Sequence, residues 1–209
     1  MPVDAGAENG HFNTPSLTAF YRWNAAIYDV TRPLILFGRH EAVDLLRVER
    51  NNLVLDVGCG TGTNIPTLLE RSAWVVGVDS SPAMIERARR RAARSRADTP
   101  VQFDSTPYGS HSRYVGQADR VLFSYSLSMI PPFDSVVERA KWDLRPGGRI
   151  AVVDFLDAPL WPVRRWLTAC HVRLGPERLR ALEAAFPGSA TIVRRTPLWT
   201  YFLFSATRG

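Results

Sequence analysis

The stretch Val54-Leu55-Asp56-Val57-Gly58-Cys59-Gly60-Thr61-Gly62 decides the fold of this 209-residue chain. An apolar run leads directly into three glycines at alternate positions, and a helical pattern follows at 65–71. Glycine accepts positive φ angles and brings no Cβ close to a ligand. The start of the next helix offers unpaired N–H groups and a positive dipole end. We therefore predict a strand, a ligand-binding turn and a helix in this order.

Working outward, short β-branched runs alternate with longer helical patterns, which is typical of a parallel sheet with helices on both faces. Strands are predicted at 53–57, 74–79, 101–104, 118–124, 149–155, 190–195 and 198–206, and helices at 65–71, 82–96, 133–144, 160–172 and 176–185. The last two strands follow Pro187-Gly188 and predict an antiparallel hairpin. The predicted fold class is α/β: a Rossmann-like, seven-stranded, doubly wound sheet, parallel except for this hairpin at one edge.

The N-terminal region is interpreted as an addition to this core. Residues 1–14 are small and polar, and we expect a frayed tail. Two helices, at 16–29 and 33–48, are predicted to form a lid. The organisation expected is a single domain over 15–209, with lid helices at 15–50, a cofactor-binding core at 51–155, and helices plus the edge hairpin at 156–209.

Composition narrows the class of protein. Hydrophobic residues make up 45% and charged residues 22%, which excludes a disordered, collagen-like or coiled-coil chain. No apolar run reaches the ~20 residues of a membrane span, and the acidic start lacks the pattern of a signal peptide, so we expect a cytoplasmic protein. The two cysteines have no metal-ligand spacing, so no metal is expected. The net charge of +6, with Lys141 as the sole lysine, favours encounters with nucleic acid or anionic membrane.

The residues after the glycines indicate the cofactor class. Asp79 ends the next predicted strand, where a carboxylate accepts hydrogen bonds from a ribose diol. Dinucleotide sites favour G-x-G-x-x-G, but here the sixth position is Thr63 and the pattern is G-x-G-x-G. Asp56, inside the strand, would repel a pyrophosphate and attract the cationic end of S-adenosylmethionine. The pattern therefore favours S-adenosylmethionine over a nicotinamide dinucleotide.

Four segments together resemble the class I S-adenosylmethionine-dependent methyltransferases: VLDVGCGTG (54–62), VVGVDSSPAMIERAR (75–89), ADRVLFSYSLSMIP (118–131) and LRPGGRIAVVDF (144–155). The resemblance implies that the product is S-adenosylhomocysteine. It also implies that Asp56, Gly58, Gly60 and Gly62 line the methionine end of the cofactor, that Asp79 binds the ribose, that Ser80 and Met84 lie beside the adenine, and that Ser124 and Tyr125 close the cleft. Thr106 stands where family members often carry an acid near the adenine.

The segments that flank this core indicate which kind of molecule accepts the methyl group. The segments Tyr21–Asp29, Thr31–Pro33, Phe37–Arg39, Ser124–Pro131 and Cys170–Arg173 resemble bacterial betaine-lipid and phospholipid N-methyltransferases. The resemblance implies an amine headgroup acceptor, such as diacylglyceryl-homoserine or an ethanolamine lipid, and peripheral contact with the inner membrane face. The alternative is transfer of the methyl or aminocarboxypropyl group to a soluble metabolite. Nucleic acid is disfavoured, because no Asn/Asp-Pro-Pro-Tyr element follows the fourth strand.

Several side chains are candidates for handling the acceptor. Candidate proton acceptors are Tyr28, Tyr125, His171 and Asp154, and candidate substrate-binding residues are Tyr21, Arg22, Arg32, Arg39 and His171. The mixture of tryptophans and arginines at 161–167 suits a membrane interface. The arginines of the helix predicted at 82–96 are interpreted as a solvated face.

Overall fold

The computed structural model describes residues 36–71, 74–95, 101–109 and 113–209, and within these ranges it forms one layered α/β unit. The strands are β1 (Leu53–Val57), β2 (Trp74–Val78), β3 (Val101–Asp104), β4 (Ala118–Ser124), β5 (Leu144–Asp157), β6 (Ala190–Arg195) and β7 (Thr200–Thr207). The helices are α1 (Arg39–Leu45), α2 (Ile65–Arg71), α3 (Pro82–Ala92), α4 (Phe133–Asp143), α5 (Trp161–Ala169) and α6 (Glu177–Ala185). A 3₁₀ turn spans Leu127–Met129.

The strands form a single seven-stranded sheet in the order β3-β2-β1-β4-β5-β7-β6. Strands β1 to β5 pair in parallel, whereas β7 runs antiparallel to both β5 and β6. This confirms the predicted fold class and the predicted hairpin. The chain leaves β3 at one edge and returns as β4 beside β1, so a crevice opens at the carboxyl ends of β1 and β4.

Apolar side chains on both faces of the sheet hold the layers together. On one face Val54 and Leu122 pack in a cluster with Ile65 of α2. On the other face Leu55 and Phe123 pack with residues of α4 and α6. Burial on both faces explains why these strands read as unbroken apolar runs. Among the described residues, no helix is long and apolar enough to cross a membrane.

Three predicted boundaries need correction. The described part of the helix predicted at 33–48 begins at Arg39, because Gly38 has a φ of 79° and a Cβ there would lie 2.7 Å from Cε2 of Tyr201. Helix α3 ends at Ala92. Strand β5 starts at Leu144, which pairs with Ala118 ahead of an irregularity in the register. The predicted tail at 1–14 and the helix at 16–29 lie outside the described residues.

Two buried charged residues, Asp154 of β5 and Arg178 of α6, form hydrogen bonds with the backbone around them. The carboxylate of Asp154 accepts hydrogen bonds from the backbone N–H groups of Ser128 (2.6 Å) and Phe155 (2.8 Å). Arg178 of α6 donates through Nη2 to the carbonyl oxygens of Phe155 and Gly175, both at 3.2 Å. Burial raises the pKa of Asp154, and the charge of Arg178 counteracts that shift. Asp154 thereby anchors the loop after β4 instead of facing an open site.

We expect Asp154→Leu to lower the free energy of unfolding by about 3–5 kcal/mol, because it leaves the N–H groups of Ser128 and Phe155 without their acceptor and removes the negative charge that acts on buried Arg178. Arg178→Met should cost a similar amount for the converse reason. The double variant should recover part of the loss, since an apolar pair removes both desolvation penalties. Urea denaturation of the four proteins measures this coupling. Strictly additive losses would show that the two charges do not depend on each other.

Candidate functional site

The three glycines between β1 and α2 all have positive φ angles, of 68°, 55° and 75°, but for different reasons. A Cβ on Gly58 would lie 2.4 Å from Cβ of Ser126, and one on Gly62 would lie 3.0 Å from Cα of Ala88. These two glycines let the loop after β4 and helix α3 approach the turn. A Cβ on Gly60 would meet no described atom within 4 Å. Gly60 therefore faces the space in which a ligand can lie.

Asp79 stands beside this open position, at the end of β2. Its Oδ2 accepts a hydrogen bond from the N–H of Gly60 and its Oδ1 accepts one from the N–H of Ser81, both at 2.9 Å. A carboxylate oxygen has two lone pairs and can therefore accept more than one hydrogen bond. Ser80 is exposed and Met84 is buried in the first turn of α3. The ribose and adenine roles of these residues stay predictions.

Asp56 lies fully buried beneath the glycine turn. Its Oδ1 accepts a 3.5 Å hydrogen bond from Nδ2 of Asn64, and its Oδ2 has no hydrogen-bond partner among the described atoms. Burial raises the pKa of Asp56 to about 7, and the charge of Asp79 adds to this, whereas Asn64 and Arg39 act in the opposite direction. Such a carboxyl is costly to ionise unless a cation comes close.

Arg39 acts on both Asp56 and Tyr125, to which the sequence analysis assigned separate roles. It is the first residue of α1, and its positive charge lowers the pKa of both Asp56 and Tyr125. Ser124 ends β4, and its buried Oγ has no hydrogen-bond partner within the described part of the chain. The start of α1 therefore covers the crevice between β1 and β4. A direct role of Arg39 in binding substrate stays a prediction.

Tyr125 is almost completely buried and has a φ of 56°. Its hydroxyl donates a 2.8 Å hydrogen bond to the carbonyl oxygen of Phe37, and its ring centroid lies 4.6 Å from that of Phe155. Burial raises the pKa of Tyr125, so the hydroxyl stays protonated at neutral pH. This geometry makes Tyr125 a tether for the Phe37-Gly38 segment, and it disfavours the residue as a proton acceptor.

His171 is placed differently, in the exposed turn after α5, with a φ of 62°. The neighbouring Arg173 donates its N–H to the carbonyl oxygen of Ser128 at 3.0 Å, so this turn lies against the loop after β4. His171 is therefore at the carboxyl edge of the sheet, as the candidate role requires. Tyr21, Arg22, Tyr28 and Arg32 lie outside the described residues.

Thr106, the residue predicted to lie near the adenine, comes two positions after an acid, Asp104. Asp104 ends β3, and its carbonyl oxygen accepts the N–H of Asp79 at 3.0 Å. Its carboxylate accepts the N–H of Thr106 at 2.8 Å and the hydroxyl of Tyr114 at 3.3 Å. Partial burial raises the pKa of Asp104, but these hydrogen bonds outweigh it and leave the pKa below its usual value. An ionised carboxylate thus stands beside the ribose position.

Asn64 and the aromatic group of Phe37, Phe155, Trp199 and Tyr201 were not predicted. Asn64 could have been singled out, because it is a polar residue between the glycine turn and Ile65, the first residue of α2. The aromatic group had no such signal. Its members come from three distant segments, and only the fold brings the ring centroids of Phe37 and Trp199 to 6.4 Å and those of Phe155 and Trp199 to 5.7 Å.

Comparison with known proteins adds sequence relatives. Residues 54–148 match the family model of a methyltransferase domain. The demethylmenaquinone methyltransferase of Tropheryma whipplei (strain Twist) is 30% identical over 149 residues, covering 68% of this chain and 60% of that protein. The 27-O-demethylrifamycin SV methyltransferase of Amycolatopsis mediterranei is 33% identical over 121 residues, covering 55% of this chain and 43% of that protein. The chain thus spans about three fifths of the length of the demethylmenaquinone methyltransferases that it matches.

Solved structures share the fold at low sequence identity. Geranyl diphosphate C-methyltransferase from Streptomyces coelicolor superposes with a TM-score of 0.70 at 18% identity, covering 81% of this chain and 76% of that one. The 1,6-didemethyltoxoflavin-N1-methyltransferase of Burkholderia thailandensis superposes with a TM-score of 0.67 at 20% identity, covering 99% and 93%. Both of those structures contain S-adenosylhomocysteine.

Substituting alanine for Gly60 should mainly affect ligand binding, whereas substituting it for Gly62 should mainly affect stability. Both variants meet the left-handed backbone penalty of about 1–2 kcal/mol. Gly62→Ala adds a clash with Ala88 and should be less stable than Gly60→Ala by about 1–3 kcal/mol. Gly60→Ala should instead weaken S-adenosylmethionine binding at least tenfold, because its methyl group enters the open space. Thermal unfolding and calorimetry measure the two effects, and the reverse pattern would contradict this assignment.

The pKa of Asp56 predicts a pH dependence for cofactor binding. A pKa raised to about 7 means that the folded state without ligand holds this proton more tightly than the unfolded chain, so stability falls as pH rises from about 4 through 7. A cationic ligand binds best to the ionised carboxylate. We therefore expect S-adenosylmethionine affinity to rise about tenfold from pH 6 to pH 8. Asp56→Asn should remove that rise in calorimetry, whereas an unchanged pH profile would exclude Asp56 as its source.

The cradle formed by Gly60, Asp79 and Asp56 fits S-adenosylmethionine better than a nucleotide diphosphate. Gly60 leaves room for the ligand, Asp79 offers acceptor oxygens, and the partnerless Oδ2 of Asp56 favours a positive charge. A pyrophosphate would instead meet two carboxyl groups at the turn. Residues 54–148 match a methyltransferase domain, and the glycine turn and Asp79 both lie within that match.

Proposed function

We propose that this chain transfers the methyl group of S-adenosylmethionine to a small-molecule acceptor held at the carboxyl ends of β4 and β5. The cradle formed by Gly60, Asp79 and Asp56 carries the proposal, because it combines open space with a wall that favours a cation. The match at 54–148 to a methyltransferase domain supports it. The relatives named for demethylmenaquinone and demethylrifamycin support an acceptor of small-molecule size.

In the proposed reaction, S-adenosylmethionine supplies a methyl group that its sulfonium has already activated. The contribution of the protein is then to align the acceptor and to exclude water. Asp79 would hold the ribose and Met84 would lie beside the adenine. Asp56 would face the positively charged end of the cofactor, with Gly58, Gly62 and Ser124 shaping the pocket around it.

On the acceptor side, the structure suggests separate tasks for the candidate residues. Tyr125 would position Phe37 and the start of α1 over the cleft, through the hydrogen bond to the Phe37 carbonyl. His171, exposed beside the loop after β4, is the better candidate among the described residues for taking up the acceptor proton. Tyr21, Arg22 and Tyr28 would complete the pocket from the N-terminal segment, which we propose forms the lid.

An amine headgroup of a membrane lipid is the second candidate acceptor, favoured by helix α5. Trp161 is 72% exposed and Trp166 is 52% exposed, and Leu160 precedes them at 48%. Exposed Arg164 and Arg165 lie on the same helix. Aromatic and basic side chains in this mixture suit the interface of an anionic membrane. Peripheral contact there would present diacylglyceryl-homoserine or an ethanolamine lipid to the cleft.

Incubation with methyl-labelled S-adenosylmethionine tests the proposal against a panel of acceptors. The panel contains demethylated quinols, soluble amines, and vesicles with ethanolamine or homoserine lipids. We expect labelled small molecule and S-adenosylhomocysteine as products. Asp79→Ala should lose about 100-fold in cofactor affinity, because it removes two hydrogen bonds to a charged group. Asp134→Ala, an exposed carboxylate on α4, serves as the matched control and should bind as the unchanged chain does.

The products distinguish the alternatives. Label confined to the lipid fraction would favour the amine-headgroup candidate. Methylthioadenosine in place of S-adenosylhomocysteine would mean that the aminocarboxypropyl arm is transferred. A chain that fails to bind S-adenosylmethionine in calorimetry, with no label in any acceptor, would refute the proposed function.

A further inference from the structure

The outer face of α3 carries a cavity lined by arginines, separate from the cradle at Gly60. Its volume is about 170 Å³, and its walls are Thr61, Arg87, Arg90, Arg91 and Arg94. The four arginines recur at helical spacings of three, four and seven residues, so they share one face of the helix. Arg90 and Arg94 are exposed, as a solvated face requires, and the four side chains also line a concave space.

The charge around the cavity is strongly unbalanced. Glu86 accepts a 3.1 Å hydrogen bond from Nε of Arg90, and both side chains are largely exposed. Four guanidinium groups thus line one cavity, and Glu86 pairs with Arg90. Like charges at these spacings repel one another. An anion in the cavity would relieve that repulsion.

Arg89 shows that the cavity is not simply a consequence of many arginines on one helix. Its guanidinium lies 5.5 Å from the ring centroid of Phe103, on β3, and it does not line the cavity. Basic residues in the last turn of a helix are favoured by the helix dipole. The dipole does not explain Arg87, which lies earlier in α3 but also lines the cavity.

Arg91 links the cavity to the glycine turn. Its Nη1 donates to the carbonyl oxygen and Oγ1 of Thr61, both at 3.1 Å, and to Oγ1 of Thr63 at 2.8 Å. Thr61 and Thr63 flank Gly62 in the turn that also carries Gly60. A ligand that immobilises Arg91 would therefore also immobilise this turn.

We propose that the arginine cavity of α3 binds a phosphoryl anion and that its occupation tightens cofactor binding through Arg91. Guanidinium groups match phosphate oxygens in paired hydrogen bonds. The cavity has room for several groups of water size, each of which fills ~30 Å³ in the liquid, as a phosphate or pyrophosphate requires. The source of the phosphoryl group is a free anion or a phospholipid headgroup. The effect on the cofactor rests on the proposed function, whereas anion binding does not.

Titration with inorganic pyrophosphate at constant ionic strength tests the site, with no cofactor present. We expect saturable binding in calorimetry and a rise in the thermal midpoint beyond that with sodium chloride. Arg90→Gln combined with Arg94→Gln should weaken binding at least tenfold. Arg180→Gln combined with Arg195→Gln removes the same charge from exposed positions on α6 and β6, and should bind as the unchanged chain does. Equal weakening in both variants, or no binding by the unchanged chain, overturns the site.

Two further measurements identify the source and test the coupling. Sedimentation with phosphatidylcholine vesicles, with and without phosphatidylglycerol, should depend on Arg90 and Arg94 if a lipid headgroup is the source. Binding of pyrophosphate without that dependence assigns the site to free anions. S-adenosylmethionine affinity should rise at least threefold with saturating pyrophosphate. An unchanged affinity overturns the coupling and leaves the anion site standing. Failure to bind S-adenosylmethionine at all would instead contradict the proposed function.

Discussion

The close contact of the glycine turn with its two neighbours is the constraint on which the site depends. Gly58 lies against Ser126 and Gly62 lies against Ala88, at distances that leave no room for a Cβ. The hydroxyl of Ser126 also donates a 2.6 Å hydrogen bond to the carbonyl oxygen of Val57. The turn is therefore held from the β4 side and from α3. The position of the glycine turn determines where Gly60 and Asp79 meet at the edge of the sheet.

Charge is distributed unevenly over this framework. Carboxyl groups of Asp56, Asp79 and Asp104 gather at the carboxyl ends of β1, β2 and β3, in a chain with a net charge of +6. Arginines occupy the outside of α3 and α5. A cationic ligand is thereby favoured in the cleft and anionic partners are favoured outside it. Both proposals follow from this separation, since one needs a negative wall and the other a positive surface.

The two sides of the cleft are built by different means. The cofactor side consists of consecutive strand ends, from 54 to 79, and matches a widespread domain. The side proposed to hold the acceptor brings together Phe37, Tyr125, Phe155 and Trp199, through ring contacts and the tether from Tyr125 to Phe37. The relatives match over part of their length, and their names differ in the compound methylated. The acceptor side is therefore where specificity is expected to reside.

The amino-acid sequence by itself determined the alternation of strands and helices, the glycine turn, the strand-end acid Asp79 and the terminal hairpin. These features depend on local periodicity and on backbone angles that few residues accept. Tertiary structure alone decided that β7 lies between β5 and β6, that Arg39 influences Asp56, and that the Tyr125 hydroxyl is buried against Phe37. It also moved the start of α1 to Arg39, because Gly38 packs on Tyr201. Burial and charge depend on neighbours that are distant in the sequence, such as Tyr201 beside Gly38, and no local pattern records them.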